Sequence, residues 1–139
     1  MHVESPALAH STINNISRYG DSGPGPKGSV MLVDFTLEGQ RFYALNGGPL
    51  FTFTEAISLY VDCETQQEVD TLWNKLTAGG EESMCGWLRD RFGLSWQIIP
   101  KALQRTIGGS DSAGAGRAMQ AMMKMRKLDI KTLEQAYAG

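Results

Sequence analysis

Arg18-Tyr19-Gly20-Asp21-Ser22-Gly23-Pro24-Gly25-Pro26-Lys27-Gly28-Ser29-Val30-Met31 is followed further along the chain by Ala44-Leu45-Asn46-Gly47-Gly48-Pro49. Pro24 and Pro26 remove two backbone donors and fix φ, so neither a helix nor a central strand runs through residues 21–28. A second turn falls at Asn46-Gly47-Gly48, where Asn and Gly tolerate positive φ. Between the two turns the side chains alternate. Met31, Val33, Phe35 and Leu37 share one face of a strand over Ser29 to Leu37, and Asp34 and Thr36 share the other. Glu38-Gly39-Gln40 is a tight turn, and Arg41 to Leu45 is the hairpin partner. Thr12 to Tyr19, with Ile13, Ile16 and Tyr19, reads as a weaker strand before the first turn. Met1 to His10 is ambiguous: Ala7-Leu8-Ala9 could end a helix, but the segment is too short to hold much alone.

The second half has a different order. Glu55 to Asp62 reads as a strand with Ile57, Leu59 and Val61 on one face and Ser58 and Tyr60 on the other. A helix follows: Thr65 and Glu68 make a capping-box pattern, and Val69, Leu72, Trp73 and Leu76 recur at helical spacing. Gly79-Gly80 stops it. Ser83 to Trp87 and Leu94 to Ile99 read as a hairpin around a turn at residues 89–93, and Pro100 ends its second strand. Gly108 to Gly116 reads as a flexible polar link. From Arg117 the chain is expected to be helical, with Met119, Met122, Met123 and Arg126 along one side, and Asp129 caps a last short helix carrying Leu133 and Tyr137. From residue 55 the order is strand, helix, then three short strands. The first half reads as the same unit without its opening strand and helix.

With 139 residues the chain is about one ordinary domain, long enough for a core without disulfides or structural metal. A formal net charge of −2 gives no basic field for nucleic acid. The local cluster Lys124, Arg126, Lys127 and Lys131 reads as a solvated helix face. Cys63 and Cys85 lack C-x-x-C spacing, which fits a reducing, cytoplasmic setting, although a disulfide between them stays open. No apolar run is long enough to span a bilayer, and the start carries no signal-peptide pattern.

Several motifs fail on their chemistry. Gly23 to Gly28 formally matches G-x-G-x-x-G, but two prolines take away donors a phosphate needs, and a strand follows rather than a helix. No G-x-G in a Rossmann setting is present for S-adenosylmethionine. Lys27-Gly28-Ser29 has the wrong order for a phosphate-binding loop. Asp90, between Arg89 and Arg91, reads as a turn residue before it reads as an acid or base. Cys85 reads as a small buried apolar group before it reads as a nucleophile. The methionines from 119 to 125 read as core or dimer packing before an adaptable binding surface.

The stretches Arg18-Tyr19-Gly20, Gly23-Pro24-Gly25-Pro26, Ala44 to Pro49, Cys63-Glu64-Thr65, Cys85-Gly86-Trp87-Leu88 and Trp96-Gln97-Ile98-Ile99-Pro100 resemble the PhnB-like bacterial proteins. The tail from Met119 to Tyr137 resembles them too. That family carries the description "3-demethylubiquinone-9 3-methyltransferase" and lies within the glyoxalase/bleomycin-resistance/dioxygenase, or vicinal-oxygen-chelate, superfamily. The resemblance spans about residues 16–139. It implies an α+β fold of paired β-α-β-β-β units: a truncated first unit over residues 1–54, a second unit over 55–100 and a C-terminal helical extension over 101–139. An incomplete sheet edge invites pairing, so the resemblance also implies a homodimer.

The superfamily places His or Gln on the first strand of each unit and Glu on the last, a donor set suited to a divalent ion with open positions. Here Gln97 stands where that Glu is expected, Glu55 to Ser58 offers no His, and Phe42 to Asn46 offers no carboxylate. No ligand role passes to His2 or His10, and no metal or cofactor is assigned. By alternation Trp96, Ile98, Ile57 and Leu59 point to the helix-packed face. Ser58, Tyr60, Ser95 and Gln97 then face the other side, where this fold holds its pocket. Two readings of these four stand level: cavity lining, or polar residues on a wet sheet face. The expected function is a small-molecule binding or sequestering protein without a complete metal site in one chain. The alternative is a divalent-metal glyoxalase-like lyase, isomerase or dioxygenase completed at a dimer interface.

Overall fold

In a computed structural model, which describes residues 10–139, the first sheet is an antiparallel meander of β1 (Thr12–Arg18), β2 (Val30–Leu37) and β3 (Gln40–Leu45). The β2–β3 turn is two residues, Glu38 and Gly39, both with positive φ (45° and 82°), the geometry that matches strand twist in a tight hairpin. Register places Ile13, Phe35 and Phe42 side by side, and the two phenylalanine rings stack at 5.5 Å. Asp34 points the other way. It is 7% exposed and accepts two bonds from Arg41 (3.0 and 2.6 Å) and one from Asn14 (3.1 Å). Alternation from Thr12 puts Asn14 on that face, and the irregularity between Ile13 and Asn15 then sets Ile16 opposite Val33. The Arg41 guanidinium, with help from Asn14, holds the Asp34 carboxyl below its ordinary pKa.

The Gly/Pro loop closes on Tyr19. The Tyr19 amide donates to Ser29 O and the Gly28 amide returns to Tyr19 O, both at 2.9 Å. The Tyr19 hydroxyl donates to Asn46 O at 2.6 Å. A β-carbon on Gly23 would fall 2.6 Å from the Tyr19 ring, and one on Gly25 closer still. The two turn-rich stretches are therefore one arrangement around a buried phenol.

The chain divides into two compact units at Thr52/Phe53. The second begins with β4 (Ser58–Cys63), α1 (Gln66–Thr77), β5 (Glu81–Glu82), β6 (Trp87–Arg89) and β7 (Ser95–Pro100). This is the expected β-α-β-β-β order. The sheet runs β4-β7-β6-β5, parallel between β4 and β7 and antiparallel elsewhere. Thr65 and Glu68 form the capping box, and α1 buries Val69, Leu72 and Trp73. Leu88, Trp96 and Ile98 are buried on the sheet side that α1 covers. Trp73 Nε1 donates to Glu82 Oε1 at 2.8 Å. The opening strand starts later than expected. Ile57 precedes it and is 74% exposed, so it does not join the packed face.

Ser83 to Gly86 is a turn rather than a strand. Cys85 and Gly86 take positive φ (59° and 84°), and their amides donate to Met125 O and Arg126 O at 2.8 Å. That pairing outcompetes a longer ladder. Cys85 is half-buried, with Sγ 3.7 Å from Met122 O and 3.9 Å from Met123 Sδ.

Three helices follow: α2 (Lys101–Ile107), α3 (Ser112–Met122) and α4 (Ile130–Ala138). The polar link expected through Gly116 is half helix. Asp111 caps α3 by accepting from the Ala113 amide at 3.0 Å. The glycines there serve close approach: a β-carbon on Gly114 would lie 2.5 Å from Tyr137 O. Arg117 donates to the Ala136 and Tyr137 carbonyls. Leu103, Leu128 and Leu133 enclose Ile99, with Met122 and Met125 at the edge, whereas Met119 and Met123 are exposed. Arg126 and Lys127 lie in the α3–α4 loop rather than on a helix. Lys127 pairs with Asp70 at 2.7 Å, and Arg126 sits 3.6 Å from Glu82. Gln66 clasps the same loop, donating to Leu128 O and accepting from the Ile130 amide. No described helix is long and apolar enough to cross a membrane.

Candidate functional site

Ser58, Tyr60, Ser95 and Gln97 sit on two adjacent parallel strands. Ser58 is opposite Ser95 and Tyr60 is opposite Gln97, so the period-two pleat sends all four to the face away from α1. Gln97 Nε2 donates to Ser58 Oγ at 2.9 Å. Both are half-buried, Tyr60 is 48% exposed, and Ser95 is 2% exposed. At the Ile99 end the face is closed by Leu103 of α2, Leu133 of α4 and Leu128 of the loop between α3 and α4.

Ser95 opens onto a pocket of about 140 Å³ that is also lined by Glu55, Glu81, Ser83, Trp87 and Arg89. Trp87 is opposite Gln97 and Arg89 is opposite Ser95 in the β6–β7 ladder. The turn that sets this ladder is built on Asp90. Its carboxylate accepts from the Phe92 and Leu94 amides and from the Trp96 indole. Asp90 is thus a turn residue, holding the backbone and the Trp96 indole. Arg89 instead pairs with Glu81 at 2.5 Å. Ser58, Tyr60 and Gln97 are neighbours of the pocket and not part of its lining. Trp87, Arg89, Glu81 and Glu55 were missed in the sequence. Alternation along β6 would have placed Trp87 beside Gln97 had the hairpin register been known.

The superfamily's chelating set does not fit this face. Gln97 offers only a neutral amide oxygen where the set has a carboxylate, and among the described residues no three His, Cys, Asp or Glu side chains lie close enough to share an ion. His10 is exposed, its backbone amide bonded to Glu38. His2 lies outside the described residues. Cys63 is fully buried, and burial, then Glu68 and Asp62, push its thiol up to about 12, so it is no nucleophile at neutral pH. The cysteines are unbridged.

A β-α-β-β-β unit with one parallel strand pair and one helix-covered face makes the second half an α+β module. The chain belongs to the PhnB-like family: the family model described as 3-demethylubiquinone-9 3-methyltransferase matches residues 5–99. The matched range ends at Ile99, before the C-terminal helices. Among solved structures, a PhnB protein from Bacillus cereus is 42% identical, with a TM-score of 0.62 over 68% of this chain and 82% of that one. A protein from Pseudomonas aeruginosa is 22% identical, with a TM-score of 0.54 over 68% of this chain and 80% of that one, and supports the fold alone. No curated protein sequence gives a significant match.

Proposed function

We propose that the chain is a small-molecule binding or sequestering protein whose ligand sits on the free face of the second sheet. One observation carries this reading. Four polar residues converge on that face, where Gln97 is held by Ser58 and the buried Ser95 hydroxyl borders a pocket of about 140 Å³. A merely wet sheet face gives no reason to bury Ser95. A lyase or dioxygenase using a divalent ion is not favoured, because among the described residues no three His, Cys, Asp or Glu side chains cluster to share one. The methyltransferase description of the family carries over no residue here. The formal G-x-G-x-x-G stretch spends Gly23 and Gly25 on the Tyr19 ring.

A homodimer is part of the proposal. Its support is the apolar side of the first sheet, where Ile13 is 52% and Ile16 43% exposed beside Phe35 and Phe42. A cytoplasmic setting, argued from two unbridged cysteines, is part of it too.

The test is a thermal-shift screen of the untagged protein against small organic fragments and against manganese, nickel and zinc. Ligand binding raises the melting temperature with concentration. The proposal expects rises with organic fragments that Gln97→Ala weakens. A rise confined to the metals, with stoichiometric metal in elemental analysis, overturns it.

A further inference from the structure

We infer that the pocket beside Ser95 takes a protonated amine carried on a group about the size of one ring. The inference rests on the binding reading above and names its ligand class.

The charges around the pocket are unequally committed. Glu81 is paired with Arg89 at 2.5 Å. Glu82, at the pocket wall, accepts from the Trp73 indole and sits 3.6 Å from Arg126. Glu55 has no hydrogen bond or ion pair from its side chain among the described residues. Glu82, opposite Leu88 in the β5–β6 ladder, turns its carboxylate to the α1 side, and Glu81 and Arg89 offset each other, so the uncommitted charge of the lining is Glu55's.

Ser95 supplies an independent observation. It is 2% exposed and lines the pocket, yet its hydroxyl makes no hydrogen bond among the described residues. The hydroxyl oxygen is open to the pocket rather than sealed in the core, so a donor placed in the pocket can reach it. An ammonium group has three donors. It can give one to Ser95 Oγ while its charge lies against Glu55, whereas a carboxylate ligand would be repelled by the latter. Trp87 adds an indole in the same lining, and an indole face attracts cations. The pocket's volume of about 140 Å³ compares with the ~150 Å³ cavity that holds one benzene. The cleft is open to solvent, so it has room for one ring or its aliphatic equivalent while the rest of a ligand extends outside.

Benzylamine, benzyl alcohol and benzoate have similar shape and carry +1, 0 and −1 charge near neutral pH, so they separate charge from fit. Isothermal titration at pH 7 and low salt, on the wild-type chain and on Glu55→Gln and Ser95→Ala, tests the inference. Folding of each variant is checked by circular dichroism. The expected result is benzylamine binding at least tenfold tighter than benzyl alcohol, and no benzoate binding. Glu55→Gln should bring benzylamine down to the benzyl alcohol level, and Ser95→Ala should weaken it several-fold. Added salt should weaken benzylamine more than benzyl alcohol. Equal or tighter binding of benzyl alcohol or benzoate, lost in Trp87→Phe, overturns the amine class and leaves the binding reading standing. Benzylamine binding indifferent to both Glu55→Gln and Ser95→Ala overturns the assigned site. No binding of any of the three overturns the inference, and a silent fragment screen beside it overturns the binding reading as well.

Discussion

The Tyr19 hydroxyl donates to the backbone carbonyl of Asn46 at 2.6 Å, 27 residues away in the chain. That bond joins the Gly/Pro loop to the end of the β2–β3 hairpin, and the loop's glycines are spaced to admit the ring. Tyr19→Phe should cost about 0.5–1.5 kcal/mol, the net worth of one part-buried hydrogen bond to an exposed residue. Gly23→Ala should cost ~1–3 kcal/mol through overpacking against the ring. Urea denaturation of the two variants measures both. Wild-type stability in both would show that the loop does not hold the first unit together.

Gln97 and Ser58 predict a different pattern. Gln97→Ala removes one half-buried bond, so stability should fall by only about 1 kcal/mol, while fragment affinity drops several-fold. Paired urea melts and ligand titrations check it. A large stability loss with unchanged binding would make Gln97 a structural residue.

Gly86 sits at φ 84°, and a β-carbon there would lie 2.8 Å from Ile99 Cδ1. Gly86→Ala should therefore cost about 2–4 kcal/mol, combining left-handed backbone strain with overpacking. It should also loosen the residues that Cys85 and Gly86 hold, Met125 and Arg126. Hydrogen exchange at the two donor amides would report that loosening. An unchanged exchange rate would contradict it.

The acid limb of the stability curve follows from three carboxyls. Asp34 is held below its ordinary pKa of 3.8 first by Arg41, Asp70 first by Lys127, and Asp129 first by Thr132. A carboxyl with a lowered folded pKa stabilises fully above its unfolded value and loses that contribution as pH falls through its folded value. Stability should thus be flat from neutrality to about pH 5 on these groups' account and decline below ~4. Asp34→Asn should make the decline shallower. Urea midpoints between pH 2.5 and 7 measure it, and an identical acid limb in the variant would contradict the role given to Arg41.

The two thiols should separate by reactivity. With Cys63 pushed up to about 12 by burial, a thiol reagent at pH 8 should label the half-buried Cys85 in the native protein and reach Cys63 only in denaturant. Peptide mass mapping reads this directly. Native labelling of Cys63 would contradict the packing of β4 against α1.

Much of this was open to a reader of the sequence. The capping residues Thr65 and Glu68 and the spacing of Val69, Leu72 and Trp73 mark α1 because helical signals are local. Alternation along β4 and β7 put Ser58, Tyr60, Ser95 and Gln97 on one face without any knowledge of pairing. What was hidden depends on distant partners. Trp87 and Arg89 reach the site only through a ladder register that the Asp90 turn fixes. Gly109 and Gly114 read as flexibility because Tyr137, which they make room for, lies far along the chain. Ser83 to Gly86 read as strand because nothing local reveals its pairing with Met125 and Arg126.

The central claim is that the free face of the second sheet binds a small organic molecule. Mapping fragment-induced amide and indole shifts by nuclear magnetic resonance on the isotope-labelled chain tests it most directly. The account predicts saturable shifts centred on Ser58, Trp87, Ser95 and Gln97, including the Trp87 indole, without added metal. Fragments that shift only residues elsewhere, or shifts at these positions that appear only with a divalent metal, would contradict it.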